Sequence, residues 1–306
     1  TITDVSSTAG ANGYGHFVMA SGTWTYTIDS SATNALDAGD TVTDTYAFAA
    51  SDSTTQTVTI TISGADDTSV WAGTVAGALT EDASTTTASA ALTITDADGD
   101  DTPTITDVSS TAGANGYGHF VMASGTWTYT IDSSATNALD AGDTVTDTYA
   151  FAASDSTTQT VTVTISGADD ASVWAGTSTG AFTEDVATTA TGALTITDAD
   201  GDDTPTITDV SSTAGANGYG NFVMSSGTWT YTAGSAVQAL DAGETVTDTY
   251  AFAASDSTTQ TVTVTITGAN DVSVWAGTVA GALTEDASTT TASAALTITD
   301  ADGDDT

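Results

Sequence analysis

The feature that most limits how this chain can fold is a long internal repeat. The stretch "TITDVSSTAGANGYGHFVMASGTWTYTIDSSATNALDAGDT" begins at Thr1 and again at Thr104, and a close variant begins at Thr206. The repeat is therefore 103 residues long and then 102. This is the size of a whole domain, well above the roughly 20 to 50 residues of a solenoid repeat. The sequence predicts a series of similar domains in one chain.

Within each repeat, apolar side chains alternate with threonine or small residues. The stretch "TWTYTI" places Trp24, Tyr26 and Ile28 on one face and threonines on the other, and "TVTITIS" and "DTYAFAAS" continue the pattern. A period of two predicts β-strands with one buried face. Turn signals such as Ser21-Gly22 separate about seven such strands per repeat, which predicts an all-β chain of tandem immunoglobulin-like β-sandwiches in a linear array. The one helical signal, "NALDAGD" at residues 34–40, predicts a single turn.

Three short acidic stretches indicate the domain boundaries. They read "ISGADDTSVWAG" at 62–73, "ISGADDASVWAG" at 165–176 and "ITGANDVSVWAG" at 266–277, and each joins two predicted strands through small and acidic residues. The predicted units are a partial sandwich without its opening strands at 1–67, complete sandwiches at 68–169 and 170–271, and the opening strands of a further sandwich at 272–306.

The charge of the chain is unusually one-sided. It has 40 acidic residues, two histidines and no lysine or arginine, which gives a formal charge of −40. Two carboxylates about 5 Å apart repel by roughly 0.8 kcal/mol even in water, so clustered acids must be screened by salt or bound by cations. The same charge excludes a nucleic-acid partner held through Lys and Arg. Cysteine is absent, which excludes a disulfide framework, and no apolar run approaches the length of a membrane span.

The densest acidic stretch is "DADGDD". Its aspartates are Asp96, Asp98, Asp100 and Asp101 and, in the next repeat, Asp198, Asp200, Asp202 and Asp203. Ca²⁺ takes about six to eight oxygen ligands, and alternating aspartates on a tight loop can turn several carboxylates inward. The loop is not an EF-hand, because Gly99 stands fourth and no glutamate follows at the twelfth position. The pattern favours a Ca²⁺ site, with a solvated acidic turn as the alternative.

A second set of oxygen ligands lies at the predicted linkers. It comprises Asp66, Asp67, Asp169, Asp170, Asn270 and Asp271, followed by the acidic pairs of the "TED" motifs, Glu81 with Asp82, Glu184 with Asp185 and Glu285 with Asp286. We expect these side chains to bind Ca²⁺ between neighbouring domains, which would lock the hinge. A flexible polar linker is the alternative. Asp52, Asp155 and Asp256, in the loop before the last strand of each repeat, are weaker candidates.

In combination these motifs resemble a known family. The series "TED", "DADGDD", "TWTYT", "ALDAGET", "SD" and "TGAND" is similar to the VCBS repeats, the bacterial immunoglobulin-like extender modules of giant secreted RTX-type adhesins, and the similarity covers the whole chain. The resemblance implies an extracellular or cell-surface stalk of cadherin-like sandwiches that depends on Ca²⁺ for its fold and rigidity. The complete loss of Lys and Arg departs from such repeats and suggests an ion-rich setting.

Signs of catalysis are absent from the sequence. His16 and His119 are the only histidines, and Asn221 takes their place in the third copy, so we expect ordinary strand residues rather than ligands. The tryptophans recur twice per repeat, as Trp24 and Trp71 do, and we expect core positions rather than sugar-binding platforms. The sequence favours a non-enzymatic structural segment, with a Ca²⁺-dependent carbohydrate- or matrix-binding module as the alternative.

The two ends of the sequence are complementary. Residues 272–306 carry the opening segment that residues 1–67 lack. Two explanations are open: the sequence is a window of a longer array, or each copy donates its last segment to the first domain of the next and builds a head-to-tail fibre. In either case we expect residues 272–306 to pack against a copy of residues 1–67. Lateral bundling through Ca²⁺ is a further possibility, since the negative charge otherwise opposes it.

Overall fold

The computed structural model describes residues 1–302, whose regular secondary structure is almost all β, as predicted. The chain divides into two compact units, residues 1–168 and residues 169 onward. The first unit contains an incomplete sandwich followed by a complete one. The second unit contains a complete sandwich followed by one further pair of strands.

The first, incomplete sandwich has five strands and one helical turn: β1 (Val5–Ala9), β2 (Gly15–Ala20), β3 (Thr23–Ile28), α1 (Ser30–Thr33), β4 (Thr41–Ala49) and β5 (Thr55–Ser63). The second sandwich is complete: β6 (Val70–Gly73), β7 (Ala76–Thr80), β8 (Thr87–Thr95), β9 (Val108–Ala112), β10 (Gly118–Ala123), β11 (Thr126–Ile131), α2 (Ser133–Thr136), β12 (Thr144–Ala152) and β13 (Thr158–Ser166).

The third sandwich, in the second unit, repeats this order: β14 (Val173–Gly176), β15 (Thr179–Thr183), β16 (Thr189–Thr197), β17 (Val210–Ala214), β18 (Gly220–Ser225), β19 (Thr228–Ala233), a 3₁₀ turn (Ser235–Ala239), β20 (Thr245–Ala253) and β21 (Thr259–Thr267). The remaining pair of strands is β22 (Val274–Gly277) and β23 (Leu296–Thr299).

Each complete sandwich packs a five-stranded sheet against a three-stranded one. In the second sandwich the strand orders are β6-β8-β11-β10-β9 and β12-β13-β7. The opening segment divides between the two sheets, since β6 pairs with β8 while β7 pairs with β13. Gly73 lies at this division with a φ of 111°, a conformation that favours glycine. This division yields a strand, β7, that the sequence did not predict.

The pairing of β7 with β13 is parallel, whereas the other ladders of the second sandwich are antiparallel. It runs from Ala76 opposite Thr162 to Thr80 opposite Ser166. In the third sandwich β15 and β21 pair in the same way. The start and the end of each complete sandwich are therefore joined side by side.

The predicted hairpin turn is confirmed, but the predicted helical turn is misplaced. Ser21 and Gly22 between β2 and β3 both have positive φ, as a tight two-residue hairpin loop of type I′ requires. The helical turn α1 lies just before residues 34–40 rather than within them. The reason is the N-cap: Asp29 accepts a hydrogen bond from the backbone N–H of Ser31 at 3.0 Å, which starts the helix earlier.

Large apolar side chains fill the space between the two sheets. In the second sandwich Phe120, Trp127 and Tyr129 are almost fully buried, and Leu79 and Leu92 of the opening strands pack onto them. Trp127 and Trp229 occupy the core as predicted. Trp71 and Trp174 are half-buried at its margin, and their indole N–H groups donate to Thr157 and Thr258 at 2.9 Å.

A buried aspartate fastens the loop between β9 and β10 to strand β12. Asp147 is fully buried, and its Oδ1 accepts from the backbone N–H of Asn115 at 2.9 Å and of Thr148 at 3.0 Å. Its Oδ2 accepts from the backbone N–H of Tyr117 and the hydroxyl of Tyr129, both at 3.1 Å. Four donors thus compensate a charge that burial would otherwise make very costly. Asp44 and Asp248 occupy the same position in the other sandwiches.

The glycine before this loop is required by the same carboxylate. A Cβ at Gly113 would lie 2.2 Å from Asp147, closer than any real contact. The stretch "GANGYG" is therefore a loop built around a buried carboxylate.

Replacing Asp147 by asparagine should destabilise the second sandwich by at least about 2 kcal/mol, because an amide cannot accept four hydrogen bonds as a carboxylate does. Chemical denaturation followed by tryptophan fluorescence should show a separate early transition, while the third sandwich, with Asp248 intact, keeps its midpoint. The exposed Asp143→Asn on the same segment should change little. Equal effects of the two substitutions would contradict the role of Asp147.

The tyrosines that donate hydrogen bonds to these aspartates should make the fold lose stability at alkaline pH. Burial and Asp147 raise the pKa of Tyr129 well above its usual range, and burial and Asp44 raise the pKa of Tyr26 to about 12. The pKa of tyrosine in the unfolded chain is about 10. The stabilisation from the hydrogen bonds between tyrosine and aspartate is therefore fully present below pH ~10, and it is lost as the pH rises through the pKa of the folded state.

Tyrosinate absorbance and circular dichroism, recorded together, test this limit. Tyr129→Phe should remove part of the loss of stability between pH ~10 and pH ~12, since phenylalanine has no proton to lose. If all tyrosines ionised near pH ~10 while the strands stayed intact, the proposed coupling would be wrong.

Candidate metal centres

The acidic stretches lie in loops at the ends of the sandwiches. In the first unit the "DADGDD" loop follows β8 and meets the loop that contains Asp37. Carboxylate oxygens of Asp37, Asp98 and Asp101 lie within 4.8 Å of one another. These three residues form the first acidic cluster.

Asp98 is the centre of this cluster. It is only 3% exposed, and its Oδ2 accepts from the backbone N–H of Asp67 at 2.6 Å. Its own N–H donates to Asp96 at 3.0 Å, which orients the loop. Its Oδ1 is buried and has no hydrogen-bond partner among residues 1–302. A buried anionic oxygen without a donor is costly, and a bound cation would satisfy it.

The electrostatics of the cluster also favour a cation. Burial, followed by repulsion from Asp100 and Asp98, raises the pKa of Asp37 above its usual range. Burial and then repulsion from Asp96 and Asp66 raise the pKa of Asp101. Because the chain has no Lys or Arg, no ion pair with either residue can compensate this charge, whereas an external cation can.

Asp96 and Asp155 lie close to this cluster, but their carboxylates accept hydrogen bonds from hydroxyl groups of the protein. The Ser69 hydroxyl contacts the carboxylates of both. Asp155 also accepts from the backbone N–H of Thr157 at 2.9 Å and from its hydroxyl at 2.7 Å. These hydrogen bonds, Ser69 first, lower the pKa of Asp155. Together with Asp66 these side chains line an open acidic cleft of about 460 Å³.

Glu81 lies at the opposite end of its sandwich, beside the linker that follows. It is 4% exposed, and its Oε1 accepts from the backbone N–H of Ala168 at 3.1 Å. Its own N–H donates to the carbonyl of Ser166 at 3.0 Å. The cause is the parallel pairing of β7 with β13, which brings the ends of both strands together. In the third sandwich Glu184 accepts from Ala269 at 3.0 Å in the same manner.

The second unit contains a second acidic cluster, formed by Asp169, Asp200 and Asp203. Asp200 is 3% exposed, and its Oδ2 accepts from the backbone N–H of Asp170 at 2.8 Å. Its Oδ1 is buried and unpartnered within the described part of the chain. Burial and then repulsion from Asp198 and Asp200 raise the pKa of Asp203. Asp200 and Asp203 correspond to Asp98 and Asp101, whereas the third member, Asp169, corresponds to the linker residue Asp66 rather than to Asp37.

Acids from both sides of a linker also meet around Asp271 in the second unit. Asp302, 5% exposed, accepts from the backbone N–H of Asp271 at 2.9 Å. Burial, with repulsion from Asp185 and Asp302, raises the pKa of Asp271. Burial and Asp271 likewise raise the pKa of Glu184. Asp185 of the third sandwich and Asp302 after the last pair of strands therefore both lie near the linker residue Asp271.

The other predicted ligands lie on the surface. Asp82, Asp100, Asp202, Glu285 and Asp286 are exposed. Asn270 is exposed as well, and its amide donates to the carbonyl of Asp271 at 2.7 Å. His16 and His119 are exposed strand residues in β2 and β10, as expected.

Asp37 was not among the predicted ligands. Its stretch "ALDAGD" is predicted as a helical turn, yet it forms a loop that brings a carboxylate to Asp98. The signal that could have identified it is an aspartate-glycine loop recurring in every repeat. The buried Asp147 was missed as well, although an aspartate at an inward position of an alternating strand is itself unusual.

Comparison with known proteins agrees with the fold. Residues 169–268 match the family described as the bacterial cadherin-like domain. The repeat is a cadherin-like, immunoglobulin-like sandwich. No curated protein matches this chain. Within residues 1–302, no helix has the length and apolar character needed to cross a membrane.

Several solved structures are similar at low identity. PcdhgB3 EC1-4 is 12% identical, with 99% of this chain and 75% of that chain covered and a TM-score of 0.38. The protocadherin gamma B7 extracellular cadherin domains 1-4 are 14% identical, with 94% and 73% covered and a TM-score of 0.36. The human desmocollin-1 ectodomain is 14% identical, with 88% and 55% covered and a TM-score of 0.33.

Replacing Asp98 by asparagine should have opposite effects with and without a divalent cation. In chelator the substitution should raise the melting temperature of the first unit, because it removes one of three mutually repelling charges. In Ca²⁺ it should lower the melting temperature, because a ligand is lost. Calorimetry measures both.

Asp107→Asn is the matched control, because Asp107 also accepts a backbone N–H, that of Ser124 at 2.9 Å, but lies outside the cluster. We expect it to change neither melting temperature by much. A lower melting temperature for Asp98→Asn in both conditions would indicate a purely structural role.

Proposed function

We propose that this chain is a non-enzymatic, mechanical extender segment of a secreted bacterial surface adhesin or extracellular filament, built from VCBS-type sandwiches and stabilised by Ca²⁺. The parallel pairing of the second and last strands in each complete sandwich is the observation that supports the mechanical role. The acidic clusters carry the part that concerns Ca²⁺.

The parallel pair suits a module that transmits tension. The chain enters the second sandwich through β6 and β7 and leaves it from the end of β13. Tension therefore pulls β7 and β13 in opposite directions along their common axis. The bonds between them, including those from Thr162 N–H to Val75 and from Glu81 N–H to Ser166, are loaded together in shear rather than opened one at a time.

Ca²⁺ fits the oxygen donors of the acidic clusters. The residues that would hold it are Asp37, Asp98 and Asp101 in the first unit and Asp169, Asp200 and Asp203 in the second. Carboxylate oxygens are the ligands that hard divalent cations prefer. A bound cation would supply the positive charge that the chain lacks. Because Asp98 and Asp200 also accept N–H groups of linker residues, binding there would order the linkers.

Carbohydrate binding is less well supported. Trp127 and Trp229 are buried, and Trp71 and Trp174 donate hydrogen bonds within their own sandwiches. Trp24 and Trp275 are exposed, but they belong to the incomplete sandwich and to the separate pair of strands. A glycan array recorded in Ca²⁺ separates the two functions, since an extender should bind no glycan.

Removing Ca²⁺ should lower the melting temperature of the chain. A ligand present at a hundredfold excess over its Kd stabilises the folded state by about 2.7 kcal/mol per site. Calorimetry in millimolar Ca²⁺ and in chelator, at matched ionic strength, measures the difference. An unchanged melting temperature would exclude the Ca²⁺ role, and an equal response to NaCl alone would indicate simple screening.

The chain stretched from its ends should show two strong unfolding events rather than three, because the incomplete sandwich has no counterpart of β7. Thr162→Pro, which removes the N–H that donates to the carbonyl of Val75 in the parallel ladder, should lower one of the two unfolding forces. Ser110→Pro in the edge strand β9 is the control and should leave both forces high. Single-molecule force spectroscopy measures them, and equal forces for both variants would argue against the parallel pair as the mechanical element.

A further inference from the structure

The third sandwich holds two acidic residues at its exit with a side-chain amide of its own. Glu184 and Asp185, which we call the exit acids, lie in a tight turn that the N–H of Val186 closes on the carbonyl of Glu184 at 2.7 Å. The amide of Gln238 donates to Oε2 of Glu184 and to Oδ1 of Asp185, both at 3.4 Å. An amide nitrogen carries two protons, so it can serve both carboxylates at once. One neutral group thus lies between two charges that repel each other.

The 3₁₀ turn that carries Gln238 is anchored independently of the exit acids. Val237 and Leu240, which flank Gln238, are each 4% exposed and belong to the apolar core of the third sandwich. Gln238 itself is exposed. The core therefore holds the turn in place, and removal of the Gln238 side chain should leave the turn folded.

Two residues at this exit distinguish the third repeat from the first and second. Gln238 stands where the other two repeats have asparagine, whose side chain is one methylene shorter. Asn270 in the linker stands where they have aspartate, so this linker carries one negative charge fewer. The corresponding residues are Asn34 and Asn137 for Gln238, and Asp66 and Asp169 for Asn270. Both differences reduce the uncompensated charge at the same exit.

The amide compensates the exit acids only in part. Burial, with repulsion from Asp271 and Asp185, still raises the pKa of Glu184. The two hydrogen bonds of Gln238 are longer than usual, and an amide offers only partial charges. A divalent cation would attract the same carboxylates more strongly and would displace the amide. The exit acids therefore have two alternative partners, which are the amide of Gln238 and a cation from solution.

We propose that Gln238 takes the place of a cation at the exit of the third sandwich. It makes this exit less dependent on divalent cations than it would be with the asparagine of the other repeats. The inference rests on the proposed Ca²⁺ function, because it concerns how strongly one acidic site responds to the ion. Gln238 stabilises the exit acids when no ion is bound, and an ion that binds there must first displace the amide. The net gain from binding is smaller for that reason.

Hydrogen exchange followed by mass spectrometry tests this inference at the exit itself. Residues 180–189, "GAFTEDVATT", occur once in the chain, so their peptides can be assigned to the third sandwich. In chelator, Gln238→Ala should speed the exchange of these amides about fivefold, the effect of losing one modest hydrogen-bonded contact. In millimolar Ca²⁺ the variant should exchange at nearly the rate of the unaltered chain. Ca²⁺ should thus slow exchange more in the variant.

Two further variants make the result specific. Gln260→Ala is the matched control, because this glutamine lies in the same sandwich, near the far end of β21, and donates to the carbonyl of Thr261 at 3.0 Å. It should alter the response of residues 180–189 to Ca²⁺ very little. Gln238→Lys places a full positive charge beside the exit acids, so it should slow exchange in chelator and remove most of the response to Ca²⁺.

Three outcomes would overturn the inference. These are unchanged exchange of Gln238→Ala in chelator, an equal acceleration with and without Ca²⁺, and the same Ca²⁺ response in Gln238→Lys as in the unaltered chain. The "DADGDD" peptides report on the proposed function separately. If Ca²⁺ slows their exchange while Gln238→Ala has no effect at the exit, only this inference fails. If Ca²⁺ slows exchange in neither place, the proposed Ca²⁺ function fails, and this inference fails with it.

Discussion

Every carboxylate in this protein must be stabilised without help from lysine or arginine. The chain has 40 acidic residues and no lysine or arginine. A buried aspartate therefore has two means of compensation, which are N–H and O–H donors from the protein or a cation from solution. Asp147 uses the first, with four donors around its carboxylate. Asp98 has one backbone donor on Oδ2 and none on Oδ1 within the described residues. The hydrogen bonds of Asp147 hold its loop whatever ions are present, whereas the stability of the loop that contains Asp98 depends on the ions in solution.

The parallel pairing of the second and last strands of each complete sandwich links the mechanical and the ionic parts of the proposal. It places the end of β7 next to the end of β13, and so Glu81 next to Ala168. Glu81, which directly follows strand β7, is thus an acidic residue at the point where the chain leaves the sandwich. Any ion that orders the loop at this exit would also stabilise the end of the parallel ladder. Stiffness at the linker and resistance to extension then have a common structural origin.

The sequence predicts the strands well because alternation is a local property. "TWTYTI" and "TVTITIS" specify their inward faces without reference to the rest of the chain, and Trp127 accordingly lies in the core. Strand β7 was missed because "AGALT" is short and rich in small residues, and its pairing with β13 is specified more than 80 residues away. Asp37 was missed for a similar reason, since only the fold brings its loop to Asp98. Composition is enough to locate the acidic loops. The sequence does not give the distances that determine which carboxylate oxygen lacks a hydrogen-bond donor.

Near-identical repeats raise the question of which opening segment fits which core. The third sandwich differs from the second at two positions of its opening strands, with Phe182 in place of Leu79 and Gly192 in place of Ala90. A Cβ at Gly192 would lie 2.8 Å from the ring of Trp229, so this tryptophan occupies space that Ala90 fills in the second sandwich. An opening segment with alanine at this position would clash there.

Residues 273–302 carry Leu283 and Ala294, the combination of the second sandwich rather than that of the third. Small differences between the repeats therefore limit which opening segment fits which core, and this restricts the incorrect pairing that near-identical neighbouring domains otherwise permit.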